Sequence, residues 1–428
     1  METAISNSTS GRRKFLKNSA ALGGVAAVSG CATISASSPK VVVVGGGYGG
    51  ATVAKYIKMW GPNIDVTMIE RNAEFVSCPM SNLVLGGSQS MKDITMSYDT
   101  LQKKYGVKMV RGEASAIDPD KKIVRLASGE SIPFDRVIVS PGIDFMYDLL
   151  PGLNNAAAQD RVLHAWKAGP QTLALRKQLE SMADGGVVAI SIPEAPYRCP
   201  PGPYERACQI ATYLKQSKPK SKVLILDANM DIISKPGLFK KAFAEMYAGM
   251  IEYRPNSKVV DVDVRTMTAK LEVEDVGADV LNVLPPMKAG AIANLFMTAN
   301  KRWCEINWLT YEAKNVPGVH LLGDALQIAP LMPKSAHMAN AHGKACAAAV
   351  VALLSGEQPN TSPTLTNTCY SFVSADKAVH VASIHKYDEK DKTMKPVPGA
   401  GGVSSSASEL EGQYAMTWAK NIWADSLG

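Results

Sequence analysis

The sequence contains no C-x-x-C-H, so it offers no covalent attachment site for a c-type haem. It has no uncharged run of spanning length beyond one stretch near its start, between Lys17 and Lys40. That stretch is rich in Ala, Gly and Ser and poor in Leu and Ile, so it would insert weakly into a bilayer. Charge of one sign is also scarce. Lys and Arg total 46 against 39 acids, a net +7, too mild to argue for nucleic acid. Cysteine is sparse and odd in number, seven in 428 residues. A disulfide scaffold is excluded, and at least one cysteine stays unpaired or is modified. What remains is an ordinary globular balance, 46% hydrophobic and 20% charged, with room for two or three domains. Disorder, collagen and coiled coil are excluded as the main organisation.

The first residues read as an address. Arg12-Arg13-Lys14-Phe15-Leu16-Lys17 precedes a small-residue apolar stretch, a twin-arginine export pattern spanning 1–36. Val28-Ser29-Gly30-Cys31 has the form of a lipoprotein box, with cleavage before Cys31 and a lipid on its sulfur. A chance cysteine in a removed signal is the equal alternative. Losing residues 1–30 removes four basic residues and one acid, so much of the basicity belongs to targeting. A periplasmic location follows, with membrane contact only through a lipid on Cys31.

Val41 to Val44 is a β-branched run suited to a strand buried on both faces. Gly45, Gly47 and Gly50 then fit G-x-G-x-x-G. A helical pattern at Ala51, Ala54 and Ile57 follows, and Ile64 to Ile69 reads as a strand ending at Glu70. Strand, glycine turn, helix, strand and terminal acid make the dinucleotide fingerprint. The glycines admit a pyrophosphate to a helix N-terminus, and Glu70 accepts from ribose hydroxyls, with Arg71 beside it. Arg136 to Gly142, including Pro141 and Gly142, resembles the strand and turn that close an FAD half. Val319 to Asp324 resembles the late strand whose Gly323-Asp324 meets the ribityl–phosphate arm. A helix N-cap is the other reading of Asp324. The expected divisions are an FAD-binding domain over 37–150 and 290–358, a second Rossmann-like domain over 151–289, and a small C-terminal α+β module over 359–428. The fold class is α/β, glutathione-reductase-like.

In pyridine-nucleotide disulfide reductases the inserted domain carries a second glycine turn for NAD(P)H. Here Gly185 to Ile192 reads as its strand, but Pro193 to Glu205 holds five prolines where the phosphate turn belongs. Proline has no N–H to give a phosphate. Val223 to Asp227 reads as the next strand, so the scaffold persists and the expected donor is not NAD(P)H.

Six segments carry a family resemblance: the glycine turn, Phe75-Val-Ser-Cys-Pro-Met-Ser-Asn82, Arg198-Cys-Pro-Pro-Gly-Pro-Tyr-Glu-Arg206, Met332-Pro-Lys-Ser335, Asn367-Thr-Cys-Tyr-Ser371 and Trp418. Together they resemble the flavoprotein subunit of flavocytochrome c sulfide dehydrogenase, with sulfide:quinone oxidoreductases as the nearest relatives. The resemblance implies FAD tethered through Cys78, where a buried free thiol is the bland reading. It implies a redox-active disulfide between Cys199 and Cys369, with Glu205 as proton donor or acceptor; a first-turn helix acid beside the dipole is the equal alternative for Glu205. A purely structural disulfide is the alternative, stabilising by ~4–5 kcal/mol in the chain-entropy model. It implies that sulfide attacks the disulfide, leaving a persulfide on one cysteine while the other thiolate faces the flavin. Arg198 either concentrates the anion or makes a surface salt bridge. Lys334 and Trp418 join the flavin-contacting set, and Trp418 also lies near a contact with a separate c-type cytochrome subunit. Core packing is the alternative for Trp418.

Cys208, Cys304 and Cys346 read as packing residues. His337 and His342 are five apart, not a helical metal pair, and no metal is expected. The rival activity is a sulfide:quinone oxidoreductase, which would use the tail Gln413 to Gly428 as a membrane anchor. A non-catalytic flavoprotein that docks to a redox partner is the third reading.

Overall fold

The computed structural model describes residues 38–428, apart from 299 and 315. The twin-arginine segment and Cys31 lie outside the described residues. Among the described residues no helix is long and apolar enough to cross a membrane.

Two largely parallel sheets dominate, the first with one antiparallel edge strand. The first has six strands in the order Glu312–Ala313, Val316–Leu321, Arg136–Val139, Lys40–Val44, Asp65–Glu70, Lys108–Arg111. Lys40–Val44 sits in the middle, paired in parallel on both sides, with Val41 opposite Val66 and Arg136. Val41, Val42 and Val43 are fully buried, which explains why the sequence shows an unbroken β-branched run and no alternation. The late strand Val316–Leu321 pairs with Arg136–Val139, so residues far apart in sequence complete one sheet.

The second sheet orders its strands Ile251–Arg254, Lys222–Asp227, Val187–Ile192, Val280–Val283, all parallel. The chain crosses between the two sheets twice. Those crossings pair with each other as antiparallel strands, Ile143–Phe145 with Met287–Ala289. A third, antiparallel sheet of Thr364–Phe372, Ala378–Asp388 and Thr393–Val403 follows, then a helix over Glu409–Leu427.

The tail expected as a short apolar segment from Gln413 is thus part of a longer helix. It packs on the helix Tyr48–Trp60 and joins a core cluster of Met80, Leu83, Val84, Phe372, Ala415 and Ala419. That cluster clamps the loop carrying Cys78 between the C-terminal helix and the third sheet. Along Thr364–Phe372 burial alternates at Leu365 and Asn367, then breaks over Thr368–Tyr370. Those three residues face a cavity instead of core or solvent.

Candidate flavin and dithiol site

The C-terminal ends of the first sheet open into a cavity of about 710 Å³. At one end lies the glycine turn. Gly45 has φ +96°, and a Cβ there would sit 2.4 Å from the Ser140 carbonyl oxygen. A Cβ at Gly50 would sit 1.7 Å from the Gly45 carbonyl oxygen. Gly50 is therefore a packing glycine, and it does not line the cavity as a binding residue would. Gly47 is the reverse: a Cβ there would meet nothing within 4 Å. The helix beginning at Tyr48 has no side-chain cap, so its first N–H groups stay available to an anion. Glu70 accepts from the Gly46 N–H at 2.7 Å and from Asn72, which fixes its carboxylate at the rim. Arg71 also lines the rim and pairs with exposed Glu113.

Pro141, Gly142, Gly323 and Asp324 line the middle of the cavity. Asp324 Oδ1 is buried with no hydrogen-bond partner. Burial raises the pKa of its carboxyl, against the lowering pull of Arg198 and Lys334. An orphaned buried acceptor beside an open glycine turn suits a ligand rich in hydroxyls and phosphate. The residues present therefore fit a dinucleotide such as FAD. Asp324 is not the cap of the following helix. That cap is Ser335, whose hydroxyl accepts from the Met338 N–H.

Lys334 stands behind the cavity wall, outside its lining. Its amine donates to the carbonyl oxygens of Asp324 and Leu326 and lies 3.5 Å from the Trp303 ring centroid. Burial pushes its pKa down to about 7. Its carbonyl accepts from the Cys199 N–H at 2.8 Å. Lys334 thus holds two pieces of the site in place and does not reach into it.

The other end of the cavity gathers the cysteines. Cys78, Cys199 and Cys369 all line it and all are free thiols in this structure. The expected Cys199–Cys369 bond is therefore not present here, although a single cavity brings the two residues together. Cys78 Sγ accepts from the Ala168 N–H at 3.5 Å and from Arg198 at 3.6 Å. Among the described residues Arg198 makes no surface salt bridge and instead lines the cavity. Its guanidinium also donates to the Trp166 carbonyl, inside the cavity wall. Burial opposes its charge, but neighbouring Cys78, Asp324 and Cys199 outweigh that and raise its pKa.

Cys199 sits at φ +58°, a left-handed conformation uncommon for a side chain with a Cβ. The turn leads straight into the helix Gly202–Ser217. Gly202 must lack a side chain, because a Cβ would lie 2.6 Å from Trp166 and 2.9 Å from the Cys199 sulfur. Burial pushes the Cys199 thiol well above its ordinary pKa. Glu205, in the first turn of that helix, accepts from the Phe372 N–H at 2.8 Å and Asn82 at 3.0 Å. It therefore ties the helix to the strand carrying Cys369. Burial raises its pKa as well, which suits a group that exchanges protons.

Trp418 lines the cavity beside His337 and Tyr370, with centroid distances of 6.0 Å to each. A smaller surface hollow of about 380 Å³ lies against the same three rings. His337 accepts from the Thr368 N–H, whereas His342 is buried beneath Gly323. Cys208, Cys304 and Cys346 are fully buried, as packing requires. Lys235, buried behind Cys369, was not legible in the sequence: an isolated lysine between a strand and a helix carries no pattern.

The comparisons follow this geometry. Residues 39–180 match the pyridine nucleotide-disulphide oxidoreductase family. Residues 172–285 match the central domain of the sulfide dehydrogenase [flavocytochrome c] flavoprotein chain. Residues 361–427 match the flavocytochrome c sulphide dehydrogenase flavin-binding domain. Over 45 residues the chain is 56% identical to the sulfide dehydrogenase [flavocytochrome c] flavoprotein chain of Chlorobaculum thiosulfatiphilum, covering 94% of that sequence and 10% of this one. The chain belongs to the flavocytochrome c sulfide dehydrogenase flavoprotein family.

Family membership makes FAD the supported cofactor. Mitochondrial sulfide:quinone oxidoreductases are also similar. The Mus musculus protein is 22% identical over 309 residues, 68% of this chain and 66% of its own length. The Dictyostelium discoideum protein is 25% identical over 261 residues, 58% and 56% of the two lengths. The chain thus spans between half and two thirds of those relatives. The solved sulfide:quinone oxidoreductase of Aquifex aeolicus superposes with a TM-score of 0.72 at 17% identity, covering 91% of this chain and 92% of that one. That likeness establishes the α/β disulfide-oxidoreductase fold.

Proposed function

We propose that this protein is an FAD-dependent sulfide dehydrogenase that oxidises hydrogen sulfide to sulfur or polysulfide and passes electrons to a c-type cytochrome subunit. The observation that carries the reading is the meeting of Cys199 and Cys369 in the cavity that also holds Gly47, Cys78 and Asp324. Family membership supports it. Bound FAD would supply a two-electron acceptor. The glycine turn, Glu70 and Asp324 would hold it, and Cys78, which lines the same cavity, would tether it covalently.

The chain's own residues do the rest. Cys199 and Cys369, when oxidised to a disulfide, present a sulfur that hydrosulfide can attack, with the displaced cysteine leaving as thiolate. Arg198, cationic at the cavity wall, attracts the anion. Glu205 takes up or returns the proton. Trp418, Tyr370 and His337 separate the cavity from the surface hollow, and we place the acceptor's approach there. Export to the periplasm by the twin-arginine segment, with a lipid on Cys31, belongs to the same proposal.

A second reading, reduction of a membrane quinone, is favoured by the similarity to sulfide:quinone oxidoreductases. One experiment separates them. Purified protein is reduced anaerobically with sulfide, then offered cytochrome c and a soluble quinone analogue in turn. Flavin reoxidation by cytochrome c supports the first reading, and reoxidation by the quinone alone overturns it.

A further inference from the structure

Behind Cys369 lies a lysine that the proposed chemistry does not yet use. Lys235 is 5% exposed. Its ammonium donates to the Cys369 carbonyl oxygen at 3.0 Å and to Ser371 Oγ at 2.9 Å. Neither partner carries charge, and among the described residues no carboxylate closes an ion pair on it. Burial opposes its charge and lowers its pKa, against the raising pull of Cys369, Glu205, Cys199 and Glu411. Its backbone is also in the left-handed region, φ +58° and ψ +45°, immediately before the helix Pro236–Met246. Two unfavourable features at one residue point to a function for its charge.

The asymmetry across the dithiol says where that charge acts. The Cys369 sulfur has a side-chain donor beside it, Asn367, and the Lys235 ammonium binds Cys369 through its carbonyl oxygen. Asn367 Nδ2 lies 3.5 Å from its sulfur, and Ser335 donates to Asn367 Oδ1 at 2.6 Å. Burial raises the pKa of both thiols and Glu205 adds to it; Lys235 is the first group to pull Cys369 back down, with Asn367 and Ser335, whereas at Cys199 Arg198 comes before Lys235. The charged groups facing this pocket come from several elements: Arg198 from the cysteine turn, Glu205 and Arg206 from the helix after it, and Glu411 from the C-terminal helix. Cys78, Cys199, Asp324, His337 and Tyr370 are further titratable groups lining the cavity.

We propose that Lys235 is a positioning residue whose ammonium places negative charge on the Cys369 sulfur in preference to the Cys199 sulfur. This rests on reading the two cysteines as the reactive pair. When the disulfide opens, the anionic partner is then Cys369. An ammonium fixed in a dry site before the charge develops stabilises it without reorganisation.

The test is the pH profile of thiol alkylation in the reduced holoenzyme. Iodoacetamide is applied between about pH 6 and 10, and the Cys369 and Cys199 peptides are quantified by mass spectrometry. In the wild type, the Cys369 midpoint lies below that of Cys199. In Lys235→Gln, which keeps a donor and removes the charge, the Cys369 midpoint rises by about one pH unit, a roughly tenfold slower reaction below the midpoint. Lys235→Arg restores the profile. A wild-type Cys369 midpoint at or above that of Cys199 overturns the proposal even if the variants do not fold. An unmoved midpoint in Lys235→Gln, or an Arg variant that behaves like Gln, also overturns it. The sulfide reading fails separately, by a flavin that sulfide does not bleach.

Discussion

The two largely parallel sheets end in the same way and use those ends differently. In the first, the glycine turn after Lys40–Val44 leaves open space over Gly47, and Glu70 stands at the rim of a cavity. In the second, the turn after Val187–Ile192 is built of prolines, and the acid at the end of Lys222–Asp227 is fully buried. Asp227 accepts from Tyr204 at 2.7 Å, Tyr253 at 3.1 Å, and both the main chain and side chain of Asn229. The corresponding acids thus face opposite fates. Glu70 is left for a ligand, while Asp227 is consumed by the chain's own tyrosines. The lesson is that an α/β strand end is a place, and its turn decides what the place is for. One turn opens a cavity that fits a dinucleotide, and the other presents Cys199 to that cavity.

Substitutions at the two turns break this comparison most sharply. Cys199→Ser or Cys369→Ser slows sulfide-dependent flavin reduction by about a thousandfold or more, because a serine hydroxyl cannot form the disulfide. Anaerobic stopped-flow absorbance reads it, and flavin content stays at the wild-type level. Gly50→Ala acts on the other turn. Its Cβ collides with the Gly45 carbonyl, so it lowers stability by roughly 1–3 kcal/mol and reduces retained flavin. Calorimetry and the flavin-to-protein absorbance ratio measure both.

The two acids sharpen the comparison with smaller effects. Asp227→Asn places two amide donors among hydroxyl donors, and it lowers stability by about 1–3 kcal/mol with flavin binding intact. Glu70→Gln leaves the melting temperature nearly unchanged and weakens flavin retention. Paired melting curves and flavin release assays check the crossover. If Asp227→Asn releases flavin and Glu70→Gln unfolds the protein, the assignment of the two ends is reversed.

A pH dependence lies behind the first turn. Lys334 has its pKa lowered to about 7 by burial. The unfolded chain therefore binds more protons than the folded one above that value, and stability rises with pH from about 7 toward the ordinary lysine range. The gain is lost progressively as pH falls from the ordinary lysine range to about 7, and below that the slope vanishes. Lys334→Met flattens that slope, which thermal melts across the window detect.

The first sheet was legible because buried β-branched runs and glycine spacing are local patterns. Val41 to Val44, the glycine turn and Glu70 appear in the structure where the sequence places them. The helix Gly202–Ser217 and the strand ending at Asp227 were legible as scaffold. The pairing of Cys199 with Cys369 was not legible from spacing. The two are far apart in sequence, and only family resemblance joined them before the cavity did. Asp324 was open between a ligand contact and a helix cap, and Ser335 takes the cap. Lys334 was expected at the flavin and instead braces the wall, because its amine finds two carbonyl oxygens first. Lys235 was invisible, since burial of a lone lysine depends on packing from three other elements.

The most direct test is anaerobic titration of the oxidised holoenzyme with sulfide, following the flavin absorbance. The account predicts bleaching in the wild type and none in Cys199→Ser at the same flavin content. A wild-type flavin that stays oxidised in excess sulfide would contradict it.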